Sequence, residues 1–382
     1  MPSRKRLFRA IKLAAVERGH CPECSRLFSI LSNHQEIVPH IRELSVSGGD
    51  WILQDETLPL LLHRIAEAEC LQRFAILTIS VTSWMKFGSI LQGAFRSLLS
   101  SPRLIKLSLL WNITRDFPVE YLVLPPALED LVIDEFGSDL IPPNNVLPSN
   151  DQNTSSASGS HQLRSLKIQG DYTSGLLTYL TRPLCTIQLS HLRDLSIGYT
   201  SPELMGQFQK VLEVAAPSLE RLIWESQRYY YNQDNDDPDL LTPLDLSQLG
   251  RLRTLELQLY PEPCQFRLTT TILRGWRIPN RLRRLTLKFN CYYFSVGFGS
   301  LTPREDGTAF LSDANVHLDR ALTSLCDKAA FPSLEAIELE IIAEEEEFVF
   351  ARRQIRERFV EASFPCLIKT GYLTATWRWK RI

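Results

Sequence analysis

The sequence predicts an α/β chain assembled from one short unit used many times. Three observations carry that expectation. An apolar residue, two variable positions, an apolar residue, one variable position and a further apolar residue recur along the chain. Stretches with the spacing of amphipathic helices lie between the copies. A proline or small polar residue often stands just before a copy, as in SPRL, PPAL, APSL and FPSL.

The copies are explicit. LIKLSL supplies Leu104, Leu107 and Leu109; LEDLVI supplies Leu128, Leu131 and Ile133; LRSLKI supplies Leu163, Leu166 and Ile168. LRDLSI (Leu192, Leu195, Ile197), LERLIW (Leu219, Leu222, Trp224), LRTLEL (Leu252, Leu255, Leu257) and LRRLTL (Leu282, Leu285, Leu287) follow, and LEAIEL (Leu334, Ile337, Leu339) is the last clear copy. IRELSV at Ile41 and LQRFAI at Leu71 are weaker early copies, and FPCLIKTGYL around Leu367 is a degenerate end unit.

The last two apolar positions of each copy alternate with polar ones, which is the period of a half-buried strand. Proline disfavours helix in the residue before it, so it ends one element and starts the next. Helical spacing appears over residues 58–71, 89–101 and 203–216; in the last, Leu204, Phe208, Val211, Leu212 and Ala215 fall on one face. A strand or helix this short cannot shield its apolar side alone, whereas stacked copies can. The expected fold is therefore a leucine-rich-repeat-like solenoid, a curved parallel sheet with helices on its convex side. The copies recur every 24 to 35 residues, roughly, with one gap of about 50, longer than the usual 20 to 29 or so. The competing fold is a compact α/β domain of unrelated amphipathic elements.

Residues 1–40 are expected to form an N-terminal cap and residues 41–382 the array, with insertions near 141–161, 228–247 and 290–310. The first insertion, rich in Pro, Ser and Asn, is a candidate boundary between two sub-arrays. Tyr229, Tyr230 and Tyr231, and likewise Tyr292, Tyr293 and Phe294, are expected to pack the later insertions onto their own scaffold; a role as interface aromatics is the competing reading. The ending TATWRWKRI is expected to be a closing strand with Trp377 and Trp379 on one face.

Composition narrows the function. The 382 residues carry a formal net charge of -2, so no global field draws nucleic acid or an acidic membrane to the chain. No apolar run approaches the roughly twenty residues that a bilayer span needs. Of the eight cysteines only Cys21 and Cys24 are close in sequence, which fits reduced thiols in the cytoplasm or nucleus. The basic start lacks the apolar core and cleavage site of a secretory signal; being Arg-rich with no acid before Glu17, it keeps a mitochondrial presequence as the competitor.

No Walker loop, nucleophile elbow, His-Glu-x-x-His or Gly-x-Gly-x-x-Gly occurs, so no catalytic residue, cofactor or enzymatic activity is expected. The one metal-like motif is HCPEC, His20 to Cys24; with His34 and His40 it would make a Cys-Cys-His-His set. On that basis a small metal-dependent or hydrolytic enzyme using Cys21 and Cys24 is the alternative function. The expectation is instead a helix whose Leu27, Phe28 and Leu31 pack inward, and no metal.

In a Leu-x-x-Leu-x-Leu strand the leucines point inward and the intervening residues face the open concave side. The expected protein-binding residues are Lys167, Gln169, Asp194, Arg221, Ile223, Glu225, Glu256, Gln258, Arg284 and Lys288. Neighbours on the same face are Lys106, Ser108, Asp130, Asp134, Thr286, Glu338 and Glu340. Mixed charge with scattered apolar groups suits a protein partner rather than nucleic acid or a membrane.

LFRAIKL at 7–13, CSRLFSILSNHQEI at 24–37 and VPHIRELSV at 38–46, with the later PRLIKLSL and PSLERL, carry a resemblance. From about Leu7 onward the chain is similar to the leucine-rich-repeat portion of fungal F-box-like proteins. The resemblance implies a scaffold that holds a protein substrate for a ubiquitin ligase, with residues 1–40 as the remnant that follows the F-box. In that family the F-box lies upstream of LFRAIKL and docks the Skp–cullin adaptor; the sequence does not carry a recognisable one. Skp–cullin machinery is therefore an expected partner only if an upstream F-box exists, and a truncated fragment with no independent activity is a further alternative.

Overall fold

Each Leu-x-x-Leu-x-Leu copy forms one parallel β-strand. The computed structural model describes residues 7–15, 21–78, 84–110, 117–118, 121–122, 125–134, 161–170, 174–182, 185, 187–200, 202–226, 244–259, 263–276, 281–290, 313–344, 360–361 and 363–380. The chain divides into two compact units, Met1–Leu192 and Arg193–Ile382.

In the first unit the strands are β1 (Ala10–Ala15), β2 (Glu43–Gly48), β3 (Arg73–Thr78), β4 (Lys106–Leu110), β5 (Asp130–Asp134), β6 (His161–Gln162), β7 (Ser165–Gln169) and β8 (Ile187–Gln188). The order β1-β2-β3-β4-β5-β7 is chain order and every pairing is parallel; β6 and β8 form a separate parallel pair. In the second unit β9 (Asp194–Thr200), β10 (Arg221–Ser226), β11 (Thr254–Leu259), β12 (Arg284–Asn290), β13 (Ala336–Glu344) and β14 (Leu373–Lys380) are again parallel and in chain order.

Register follows the repeat. Leu44, Phe74, Leu107, Leu131 and Leu166 form one row across the first unit. Leu195, Leu222, Leu255, Leu285 and Ile337 form the matching row in the second. All three apolar positions of every copy from Ile41 to Leu339 are at most 3% exposed. A one-residue slip would turn a whole row to the opposite face, so burial of the row fixes the register.

The prolines before the copies close turns. The N–H of Leu104 donates to the Ser101 carbonyl at 3.2 Å, Leu128 to Pro125 at 3.3 Å and Leu334 to Phe331 at 3.2 Å, with Pro102, Pro126 and Pro332 at the second turn position. Just beyond, each copy hooks onto the one before. Two successive N–H groups, of Gln72 and Arg73, share the Arg42 carbonyl at 2.8 and 3.0 Å, and those of Ile105 and Lys106 share that of Gln72 at 2.8 and 3.0 Å. The second unit repeats this: Arg253 and Thr254 share the Glu220 carbonyl, and Arg283 and Arg284 that of Arg253, at 2.8 and 3.1 Å in both cases.

The first unit's helices are α1 (Pro22–Asn33), α2 (Trp51–Gln54), α3 (Thr57–Glu67), α4 (Ser89–Leu99) and α5 (Ser174–Leu180); the second unit's are α6 (Pro202–Ala215), α7 (Pro263–Gly275), α8 (Asp313–Leu325) and α9 (Pro365–Lys369). Successive helices lie side by side, α1 on α3 and α3 on α4 in the first unit, α7 on α8 and α8 on α9 in the second. The five α6 residues placed on one face by spacing are all buried.

Two buried aspartates tie helices together. In the first unit Asp55 accepts from the N–H of Cys21 (3.1 Å), Thr57 (2.9 Å) and Leu58 (3.2 Å), joining the starts of α1 and α3. In the second unit both carboxylate oxygens of Asp319, on α8, accept from the first turn of α9, from Cys366 and Leu367 at 2.9 Å each.

Gly48 shows how closely the first turn packs. A Cβ there would overlap the indole nitrogen of Trp51, a fully buried ring whose N–H donates to the Ser47 carbonyl at 3.3 Å. Gly48→Ala is expected to displace the indole and cost about 2–3 kcal/mol, read as a shifted tryptophan emission together with a lower denaturation midpoint.

The expected α/β class and parallel sheet are thus present. The parallel ladder starts at β1, before residue 41, and the division between units falls at Leu192/Arg193, beyond the 141–161 segment. The three expected insertions lie almost wholly outside the described residues, as do the two aromatic clusters at 229–231 and 292–294. Trp377 and Trp379 are part of β14, in register with Ile341 and Ala343 of β13. Among the described residues no helix is long and apolar enough to cross a membrane.

Candidate functional site: the polar strand face

Alternation puts the leucines on one face of the second unit's sheet and the intervening residues on the other. Parallel register then sorts those residues into rows: Asp194, Arg221, Thr254 and Arg284; Ile223, Glu256, Thr286 and Glu338; Glu225, Gln258, Lys288 and Glu340. Neighbouring strands are about 4.8 Å apart, so side chains within a row and between adjoining rows reach one another.

Eight side chains of these rows, with Arg378 of β14, form two adjoining groups of charged and polar contacts. Lys288 Nζ lies 2.6 Å from Glu256 Oε1 and 3.8 Å from Glu340 Oε2, bridging two carboxylates across β11, β12 and β13. Arg378 Nε, on β14, meets the other Glu340 oxygen at 2.7 Å, and Arg221 Nη2 approaches Glu256 Oε2 at 3.9 Å. Gln258 Nε2 donates to Glu256 Oε1 at 2.8 Å. Alongside, Arg284 Nε pairs with Glu338 Oε1 at 3.3 Å while Thr286 Oγ1 donates to Glu338 Oε2 at 3.2 Å.

This face differs from the open surface expected of it. Glu256 is 7% exposed and Glu340 5%, and Glu225 and Thr286 are also buried. The long side chains of flanking strands fold over the carboxylates, which their cations and amide hold in place. Arg221, Arg284 and Arg378 stay well exposed and form the rim. Buried charges of this kind need their partners far more than exposed pairs do.

Of the sequence-predicted residues, Arg221, Glu256, Gln258 and Lys288 come together in one network, Arg284 pairs with Glu338 beside it, Ile223 and Glu225 flank it on β10 and Asp194 lies at the head of β9. Lys167 and Gln169 lie on β7 of the first unit. Their neighbour Asp134, on β5, has its carboxyl raised above the ordinary range by burial, an effect that Lys167 partly offsets. Arg378 was missed, although the alternation in TATWRWK is the signal that would have found it.

Of the HCPEC motif, His20 lies outside the described residues. Cys21 and Cys24 are both fully buried at the start of α1, alongside Leu27 and Leu31. Burial pushes both thiols up, Cys24 strongly, with Asp55 adding to it, so both are protonated at neutral pH. The Cys21 thiol donates to Glu23 at 3.6 Å, His34 pairs with Glu36 at 3.3 Å, and no metal-binding cluster forms among the described residues. Alkylation of the folded protein at neutral pH is accordingly expected to spare Cys21 and Cys24, and to label both after unfolding in guanidinium, as read by peptide mass spectrometry.

No protein-family model matches the chain, and no curated protein matches it significantly.

Proposed function

We infer that this chain is a protein-binding scaffold of the leucine-rich-repeat solenoid type, gripping a partner with the polar strand face of its second unit. The observation that carries this is the charged network: carboxylates already neutralised inside, with guanidinium groups at Arg221, Arg284 and Arg378 on the rim. Each guanidinium has five donors, of which the network uses few. A rim of pre-positioned donors around a satisfied interior suits the carboxylates and main-chain carbonyls of another protein, and mixed signs confer selectivity among partners. Recognition of a substrate for an F-box-type ubiquitin ligase in the cytoplasm or nucleus belongs to the same proposal, as does Skp–cullin recruitment through an upstream F-box; both rest on the resemblance of the sequence.

The test is affinity capture with the intact chain against Arg221→Glu/Arg284→Glu. Both arginines are exposed but pair with Glu256 and Glu338, so melting should fall while the chain stays folded, and recovery of a specific partner should fall at least about tenfold. Undiminished recovery of every partner by the doubly reversed variant contradicts the proposal.

A further inference from the structure

The first unit carries a separate feature on its own polar strand face, a depression of about 330 Å³ over β1 to β4. Its origin is a row of small residues. Ser45, Ala75 and Ser108 stand in register on three neighbouring strands, with Lys12 beside Ser45 on β1. The adjoining row runs Ala10, Glu43, Arg73 and Lys106. Three short side chains side by side leave a floor about 10 Å across at normal strand spacing, and the longer residues around it become walls.

Those walls are cationic. Lys12, Arg73 and Lys106 line the depression against one carboxylate, Glu43, which pairs with Arg73 at 3.4 Å. Lys12 and Lys106 have no ion-pair partner among the described residues, and the hydroxyls of Ser45 and Ser108 have no hydrogen-bond partner among them. Three cations face one carboxylate within the lining, which is therefore net positive. Asp130, next to Lys106 in register on β5, ends the cationic patch on that side.

We propose that this depression is a binding site for a phosphate monoester. Such a group carries between 1.5 and 2 negative charges, roughly, and three strong acceptor oxygens. It would balance the excess charge and accept from the two ammonium groups and the two serine hydroxyls. A carboxylate, with two oxygens and one charge, engages fewer of these donors. A polyanionic strand would run onto Asp130 and Asp134, and Phe74, the one aromatic residue of the lining, is 1% exposed and so offers no ring face to stack a base. The site is independent of the network in the second unit, so it stands or falls without the partner reading.

Calorimetric titration of the full chain tests it with four probes: inorganic phosphate, O-phosphoserine, a short phosphoserine peptide and dimethyl phosphate. O-phosphoserine should bind saturably and serine should not, while the singly charged dimethyl phosphate should bind at least about tenfold more weakly. Lys12→Gln and Lys106→Gln should each weaken O-phosphoserine about tenfold at unchanged melting, Glu43→Gln should tighten it severalfold, and Lys369→Gln, in the other unit, should leave it alone. A peptide bound much more tightly than the free amino acid assigns the group to a protein, and equal binding assigns it to a small molecule; both support the site. Absence of saturable binding, or binding that survives Lys12→Gln/Lys106→Gln together, overturns it.

Discussion

Lys288→Met should be the most damaging single change in the polar face, costing about 3–5 kcal/mol in chemical denaturation. The ammonium group holds two carboxylates that are almost out of water, at 2.6 Å from Glu256 and 3.8 Å from Glu340. Without it, both remain buried; Glu256 keeps the Gln258 amide at 2.8 Å and Arg221 at 3.9 Å, and Glu340 keeps Arg378 at 2.7 Å. A methionine of similar volume removes the charge while filling the space, so the loss reports electrostatics rather than a cavity. The triple variant Glu256→Gln/Lys288→Met/Glu340→Gln should recover most of the loss, because a neutral, packed cluster needs no counter-charge. A cost below about 1 kcal/mol for the single change would show that water, not lysine, satisfies the carboxylates.

Asp319→Ala should cost about 3 kcal/mol, since it orphans two N–H donors at the start of α9 that are satisfied by a charged acceptor. Cys366 and Leu367 both donate to it at 2.9 Å, and Asp319 itself is 2% exposed. The effect should be local. α9 leads directly into β14, the strand that carries Arg378, so limited proteolysis should cut near Pro365 before the rest of the second unit opens. A second readout separates loss of the carboxylate from general loosening. Hydrogen bonding to Asp319 and its charge raise the exposed Cys366 thiol above its ordinary range. Removing the carboxylate lowers it, so alkylation of Cys366 at neutral pH should speed up in Asp319→Ala. Asp319→Asn, which keeps one acceptor, should lie between.

The strand pattern was the most legible part of the molecule. Leucine spacing located every strand from β2 to β13 except the two-residue β6 and β8, because burial selects on that spacing directly. The prolines of SPRL, PPAL and FPSL marked turns whose hydrogen bonds are present. The helices α7 and α8 were not singled out. PCQFRLTTTILRG buries Thr269 and Thr270 on its inner side, so its apolar stripe is broken by polar residues. The polar face was legible as a list of positions but not as a site. Glu256 and Lys288 stand one repeat apart in sequence, and only the register between β11 and β12 brings them together. The same holds for Asp55, far from Cys21 in sequence, whose carboxylate accepts the Cys21 N–H at the start of α1.

The measurement that bears most directly on the partner-binding face is photo-crosslinking from two positions of the second unit. Ile223 projects from the polar face of β10, whereas Val214 is an exposed residue of α6 in the same repeat. With a photoreactive amino acid at each position in turn, and the partner recovered in the capture experiment, an adduct should form from Ile223 and not from Val214. Adducts from Val214 alone would place the partner on the helical side and contradict the role assigned to the strand face.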